Sequence, residues 1–316
     1  MRIVIAEIQD YPDAALHILR GLGEVVEGVA NREVLVAESR EANVLIVRLR
    51  YRLDAELLSA APRLHTIVSA TTGLDHIDEA FAKSRNIAIL SLKGEESFRS
   101  TIPATAELTW GLLIALVRRI PGASQDVLLG NWRRDLFRGI DLRGRTLGIL
   151  GFGRLGRMVA SYGVAFGMRV LATDIRPALS SSSVEFVSFE DLLGRSDVLS
   201  LHLPFNERTR HMIGSTAFAT LKPGAILINT SRGAIIDGAA LLAALQDGRL
   251  SGAAVDVVEG ETPGEGTMIG HALVHYARDH QNLLITPHVG GASRESMEAT
   301  ECFMASKLAR HLSTVR

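Results

Sequence analysis

The sequence predicts an α/β chain with two parallel sheets, each covered by helices on both faces. Three observations carry this expectation. Short β-branched runs alternate with longer Ala/Leu-rich segments, the rhythm of parallel strands joined by helices. The length, 316 residues, exceeds what one hydrophobic core usually serves, so two domains are expected. The rhythm also breaks once, in the polar, glycine-punctuated stretch GNWRRDLFRGIDLRG, before it restarts at Thr146.

Taken in order, the first series of strands is RIVIA, VLIV, HTIVSA and IAIL near residue 90, followed by a long helix candidate between Thr101 and Ile120. A domain boundary therefore belongs near residue 100. The second series is TLGIL, RVLATD, DVLSLHL, AILINT, AAVDVV and NLLITP. Its near-continuous apolar strands suit a sheet buried on both sides. A final helix candidate runs from Ser293 to about Leu312 and is expected to pack back on the first domain.

Bulk properties narrow the function. Lys plus Arg (34) nearly cancels Asp plus Glu (35), which gives no general reason to bind nucleic acid or anionic membrane and makes a small molecule the expected partner. Cys302 is the single cysteine, so no intrachain disulfide framework exists and a reducing, cytoplasmic setting is expected. The opening MRIVIAEIQD meets acidic residues before it reaches signal-peptide length. The most apolar helical stretch, around Leu108 to Val117, is shorter than the ~20 residues a bilayer requires, so no membrane span is expected.

The sharpest motif is GFGRLG at 151–156, which follows the apolar strand TLGIL and opens a helical run. Gly151 permits the tight turn, Gly153 lets backbone approach a pyrophosphate, and Gly156 allows helix and strand to pack, leaving the helix N-terminus facing an anion. The next strand ends in Asp174, 18 residues after Gly156, where a carboxylate would accept an adenosine ribose. That predicts NAD rather than NADP, because a 2′-phosphate would meet a like charge. Arg176 tempers the preference, since a guanidinium accepts phosphate.

In an open parallel sheet, ligands bind beyond the carboxyl ends of the strands. Arg232 follows AILINTS, Glu261 follows AAVDVVEG and His288 follows NLLITP, so all three are directed to the sheet edge that carries GFGRLG. Reduction of a 2-oxo acid requires a hydride donor, a cation for the carboxylate and carbonyl, and an acid for the developing alkoxide. Arg232 offers a planar fork of donors. His288 would give the proton in reduction and take it in oxidation, with Glu261 fixing the ring and stabilising its charge. Asp256, at the same strand end as Glu261, is expected to accept the nicotinamide carboxamide. In the first domain Arg48 and Arg50 alternate to one face after VLIV and are candidates to clamp a distal anion. Thr71, Thr72 and Gly73 end a strand where successive amides can form an anion-binding concavity. His271 and His275 supply only two ligands, so no metal site is expected.

These segments, with GLDHID at 73–78, ATAELTWGLLIAL at 104–116, GNW at 130–132, HLP at 202–204, NTSRGAIID at 229–237, GAAVDVVEGE at 252–261 and TPHVGGAS at 286–293, resemble the D-isomer-specific 2-hydroxyacid dehydrogenase family, particularly its phosphoglycerate dehydrogenase-like members. The resemblance spans nearly the whole chain. It implies Arg232, Glu261 and His288 as the catalytic set, NAD as cofactor, a homodimer, and a D-2-hydroxy or 2-oxo acid substrate, with phosphoglycerate-like acids among the candidates. It also implies a flavodoxin-like substrate domain of residues 1–100 and 290–316, and a Rossmann domain of residues 101–289. Further cofactor contacts are expected at Arg154, Leu155, His202, Pro204, Thr209, Thr230 and Gly290, and substrate contacts at Arg48, Thr71, Thr72, Gly73 and Arg232. The alternative on the same fold is an NAD-sensing, corepressor-like binding protein. The stretch SLKGEESFRSTIP departs from the Asn and Pro-Gly rich segment of many relatives, which makes transfer of a substrate from them unsafe.

Overall fold

A computed structural model describes residues 1–176, 182–261 and 268–314. The chain divides into two compact units, with crossings at 102/103 and 291/292. The positions read from sequence were 100/101 and 289/290.

Unit 1 holds five parallel strands, β1 (Arg2–Ile5), β2 (Glu24–Glu27), β3 (Val44–Val47), β4 (Thr66–Ser69) and β5 (Ala88–Leu90), in the order β2-β1-β3-β4-β5. Period-two alternation decides the packing. Ile3, Ile5, Val44 and Ile46 face one side with Leu16 and Leu19, whereas Val4, Leu45 and Val47 face the other with Leu35, Leu57 and Leu58. Strand β2 is absent from the sequence reading because its sequence, EVVE, has only two apolar residues and no fully buried one. The helix Arg294–Thr314 returns to this unit, where Met304, Ala305 and Leu308 join the Ile3 and Ile5 face.

Unit 2 holds seven parallel strands, β6 (Thr146–Leu150), β7 (Arg169–Thr173), β8 (Glu185–Phe186), β9 (Val198–Leu201), β10 (Ala225–Asn229), β11 (Leu250–Val255) and β12 (Leu283–Ile285). Their order is β12-β11-β10-β9-β6-β7-β8. The order reverses between β6 and β9, the position at which doubly wound sheets bind ligands. All residues of β6, β9 and β10 are buried.

The helix expected from Thr101 to Ile120 is shorter and broken. It spans Ala104–Val117, and after Arg119, which has left-handed φ 51°, a second helix runs Ile120–Leu128. By length and composition the run Glu96–Val117 is apolar enough to cross a membrane. The chain divides it into Glu96–Arg99 and Ala104–Val117, and the second helix buries Trp110, Leu112, Leu113 and Leu116 where it packs on β10, β11 and the helix Arg154–Ala165. Side chains of Asn31, Asp54, Asp78, Ser188 and Asp237 each accept a backbone N–H in the first turn of the following helix, fixing where five helices begin.

Candidate active site

The glycine turn leaves β6 as the motif requires. Gly151 has φ 95°, Gly153 caps the helix Arg154–Ala165, and a Cβ on Gly156 would lie 2.1 Å from the Gly151 carbonyl oxygen. Helix and turn therefore touch without a side chain between them. Above Gly153 the space is open, since the nearest atom to a Cβ placed there is Arg176 Nη2 at 3.9 Å. A bare turn at a helix N-terminus, beside a carboxylate at the end of β7, fits the pyrophosphate and ribose of NAD.

Asp174 is anchored to the turn by the Phe152 amide, which donates to Oδ2 at 2.8 Å, and is paired with Arg176. Hydrogen bonds from Arg176 hold its carboxyl down to about 2 against the opposing effect of burial. At the end of β9, His202 Nε2 meets Ser200 Oγ at 2.9 Å, and desolvation of the ring pushes it down to about 4, so it is neutral near pH 7. The Thr209 hydroxyl donates to the Pro204 carbonyl at 2.9 Å, tying that loop shut. Thr230 is buried and shares a 2.7 Å hydroxyl contact with Thr109. In the first turn of the glycine-motif helix, Leu155 packs against the core.

Three adjacent loops then form the edge beyond β10, β11 and β12. Glu261 Oε1 lies 2.6 Å from His288 Nδ1, and Glu261 Oε2 accepts the Val258 amide at 3.0 Å. His288 has φ 55°, a left-handed conformation that costs a non-glycine residue energy and persists only where its surroundings enforce it. The enforcement comes from β11: the His288 amide donates to the Asp256 carbonyl at 2.8 Å. The Asp256 carboxylate accepts Thr286 Oγ1 at 2.6 Å, Val289 N at 2.9 Å and Gly290 N at 2.7 Å.

Asp256 was read as a partner of the nicotinamide carboxamide. In the structure the residue is 1% exposed, and its carboxylate accepts three hydrogen bonds from the loop that carries His288. Gly290 likewise donates inward to Asp256.

Arg232 is brought to the same edge by its loop. Asn229, fully buried, accepts the Ser231 amide at 3.0 Å and donates to the Arg232 carbonyl at 2.9 Å. Gly233 lies so close to the β11 loop that a Cβ on it would sit 2.0 Å from the Val258 carbonyl carbon. The guanidinium donates to the Ser231 carbonyl at 2.8 Å. Asn229 was not singled out in sequence, although an amide ending an otherwise apolar buried strand was the signal.

The substrate candidates Arg48, Thr71, Thr72 and Gly73 belong to unit 1. Thr71 Oγ1 donates to the Gly73 carbonyl at 2.7 Å, closing the turn, and Thr72 is exposed. Arg48 is engaged on several sides. Its guanidinium meets Glu301 Oε1 at 2.5 Å, donates to the Gln9 carbonyl at 2.9 Å and lies over the Tyr11 ring. Glu7 accepts the amides of Arg48 and Arg50. Neither Glu7 nor Glu301 was found from sequence.

A glycine turn at the switch point, with a carboxylate–imidazole pair and an arginine loop along the same strand ends, defines an NAD-dependent oxidoreductase. Residues 110–290 match the model for the NAD-binding domain of D-isomer specific 2-hydroxyacid dehydrogenases. The chain belongs to that family. It is 39% identical over 274 residues to a glyoxylate reductase of Aeropyrum pernix, covering 84% of this chain and 78% of that one. It is 34% identical to a D-3-phosphoglycerate dehydrogenase of Methanocaldococcus jannaschii, covering 94% of this chain and 55% of that one. Among solved structures, D-lactate dehydrogenase from Aquifex aeolicus, complexed with NAD and lactic acid, superposes with TM-score 0.85 at 30% identity, covering 99% of this chain and 96% of that one.

Proposed function

We propose that this protein interconverts a short, unphosphorylated D-2-hydroxy acid and its 2-oxo acid, with Arg232, Glu261 and His288 as the reacting set. The single observation that carries the reading is the 2.6 Å Glu261–His288 contact on a loop held in a left-handed turn. The bound nicotinamide supplies or accepts the hydride at C2. With Nδ1 committed to Glu261, His288 presents Nε2, which donates a proton to the C2 oxygen in reduction and withdraws it in oxidation. Glu261 offsets the positive charge on the ring and fixes its orientation. The Arg232 fork binds the substrate carboxylate and polarises the carbonyl as negative charge develops.

The absence of a phosphate on the substrate is argued from Arg48, the residue expected at the distal end. Its guanidinium is engaged by Glu301, the Gln9 carbonyl and the Tyr11 ring, and Glu7 takes the amides of Arg48 and Arg50, so these groups at the end of β3 are committed within unit 1. The glyoxylate reductase similarity supports the same choice.

The test is steady-state reduction of glyoxylate, hydroxypyruvate, pyruvate and phosphohydroxypyruvate with NADH. The unphosphorylated acids should be turned over at higher kcat/KM than the phosphorylated one. Arg232→Ala should lower kcat/KM by about 10²-fold or more with NADH affinity nearly intact, because its partner is substrate. No turnover of any acid, or equal loss of NADH binding in that variant, would falsify the assignment.

We further propose that a second copy of the chain covers the segment 120–140, which supports the homodimer expected from sequence. Trp132 (86% exposed), Leu128 (77%) and Leu129 (70%) lie there with Ile120, Val127 and Leu136, a concentration of exposed apolar side chains that a monomer rarely carries.

A further inference from the structure

We propose that Arg176 gives the dinucleotide site a mixed preference, so that the protein binds the 2′-phosphorylated cofactor NADP(H) as well as NAD(H). The inference rests on the nicotinamide-dependent reading above and extends it to the adenosine end. A carboxylate at the end of the second strand of such a sheet selects NAD in two ways. It accepts the ribose hydroxyls, and its charge repels a 2′-phosphate. Here both effects are altered by the neighbouring arginine.

Asp174 has two oxygens and four donors already on them. Oδ1 accepts the Arg176 amide at 3.0 Å and Nε at 2.9 Å, while Oδ2 accepts the Phe152 amide at 2.8 Å and Arg176 Nη2 at 2.9 Å. A ribose diol therefore reaches this carboxylate only by displacing a bidentate, charge-assisted pair. The strand end also carries no net charge, so the repulsion that would exclude a 2′-phosphate is cancelled at short range.

The location of the guanidinium supplies the attraction. The Arg176 side chain is 53% exposed where that of Asp174 is 9% exposed, and Nη2 stands 3.9 Å from where a Cβ on Gly153 would lie. The fork thus sits over the bare turn that faces the pyrophosphate, beside the expected ribose. Its planar donors match a phosphate monoester. Rotation of the exposed arginine off Asp174 would serve either cofactor. With NADP(H) the fork moves to the 2′-phosphate while the Phe152 and Arg176 amides keep Asp174 satisfied. With NAD(H) the vacated carboxylate positions accept the diol.

Calorimetric titration of the purified chain with NADH and with NADPH, in the absence of any acid substrate, tests this. The wild-type protein should bind both, with Kd values within about tenfold of each other. Arg176→Gln should weaken NADPH relative to NADH by about tenfold or more, the worth of a charge-assisted hydrogen bond. Asp174→Ser should move the same ratio about tenfold or more the other way. NADH binding by each variant reports that it is folded. Wild-type protein that binds NADH but prefers it over NADPH by more than about a hundredfold, or an Arg176→Gln protein with an unchanged ratio, overturns the proposal. Because no substrate enters the titration, a failure to turn over 2-oxo acids would count against the proposed reaction and not against this assignment.

Discussion

At the scale of single residues, Glu301 shows how burial and pairing compete. Its side chain is 3% exposed, and although Arg48 stabilises the charged form, desolvation outweighs it and pushes the carboxyl up to about 7. A carboxyl whose folded value lies above its unfolded one binds protons more tightly in the folded state, so stability is highest below the unfolded value and falls as pH rises through the folded one. The window is therefore from about 4.5 to about 7, and the shift corresponds to something on the order of 3 kcal/mol. Glu301→Gln, which mimics the protonated form, should flatten the decline in unfolding free energy across that window in denaturant titrations. A slope unchanged by the substitution would show that the carboxyl titrates normally. His202 contributes the opposite sign: its depressed value means stability lost as pH falls from about 6.5 toward about 4, so the two slopes must be separated by variant rather than read from the wild-type curve.

At the scale of elements, the edge proposed to be catalytic is a set of loops braced by one buried carboxylate. Removing the Asp256 side chain in Asp256→Ala leaves Thr286 Oγ1 and the amides of Val289 and Gly290 without acceptors. Orphaned buried donors cost about 1–3 kcal/mol each before relaxation, so a net loss of about 2–4 kcal/mol in denaturant titration is expected. The kcat should fall with it, because the same bonds hold His288 at its positive φ. Full activity in this variant would mean that the loop needs no brace. Sequence reasoning reached this edge because strand-end logic is local: GFGRLG, Asp174, Arg232, Glu261 and His288 each follow a recognisable apolar run. It did not reveal the bonds from Asp256 to the His288 loop, because an acid at a strand end looks the same whether it faces a ligand or a loop. It missed Glu301 because its partner Arg48 is 253 residues away in sequence. Strand β2 and the break at Arg119 were illegible for the same reason, since tertiary packing rather than local pattern decides them.

At the scale of the whole molecule, the segment 120–140 and the helix Arg294–Thr314 contrast. The apolar side chains of the first are exposed, and those of the second are buried within unit 1. Light scattering after size exclusion should give twice the chain mass, and Leu128→Glu with Leu129→Glu should shift the distribution toward single chains. A wild-type protein that runs as a single chain at micromolar concentration would remove the basis for the homodimer. The C-terminal helix has a consequence of another kind. Unit 2 is complete, apart from its last strand and the His288 loop, before the ribosome reaches residue 280, yet Ile3 and Ile5 must wait for Met304, Ala305 and Leu308 to close over them. Residues made before unit 2 are thus sealed from water only after it. During synthesis the cofactor-binding half has the chance to fold while its N-terminal neighbour still shows an open apolar flank, the stage at which a chaperone would find the chain.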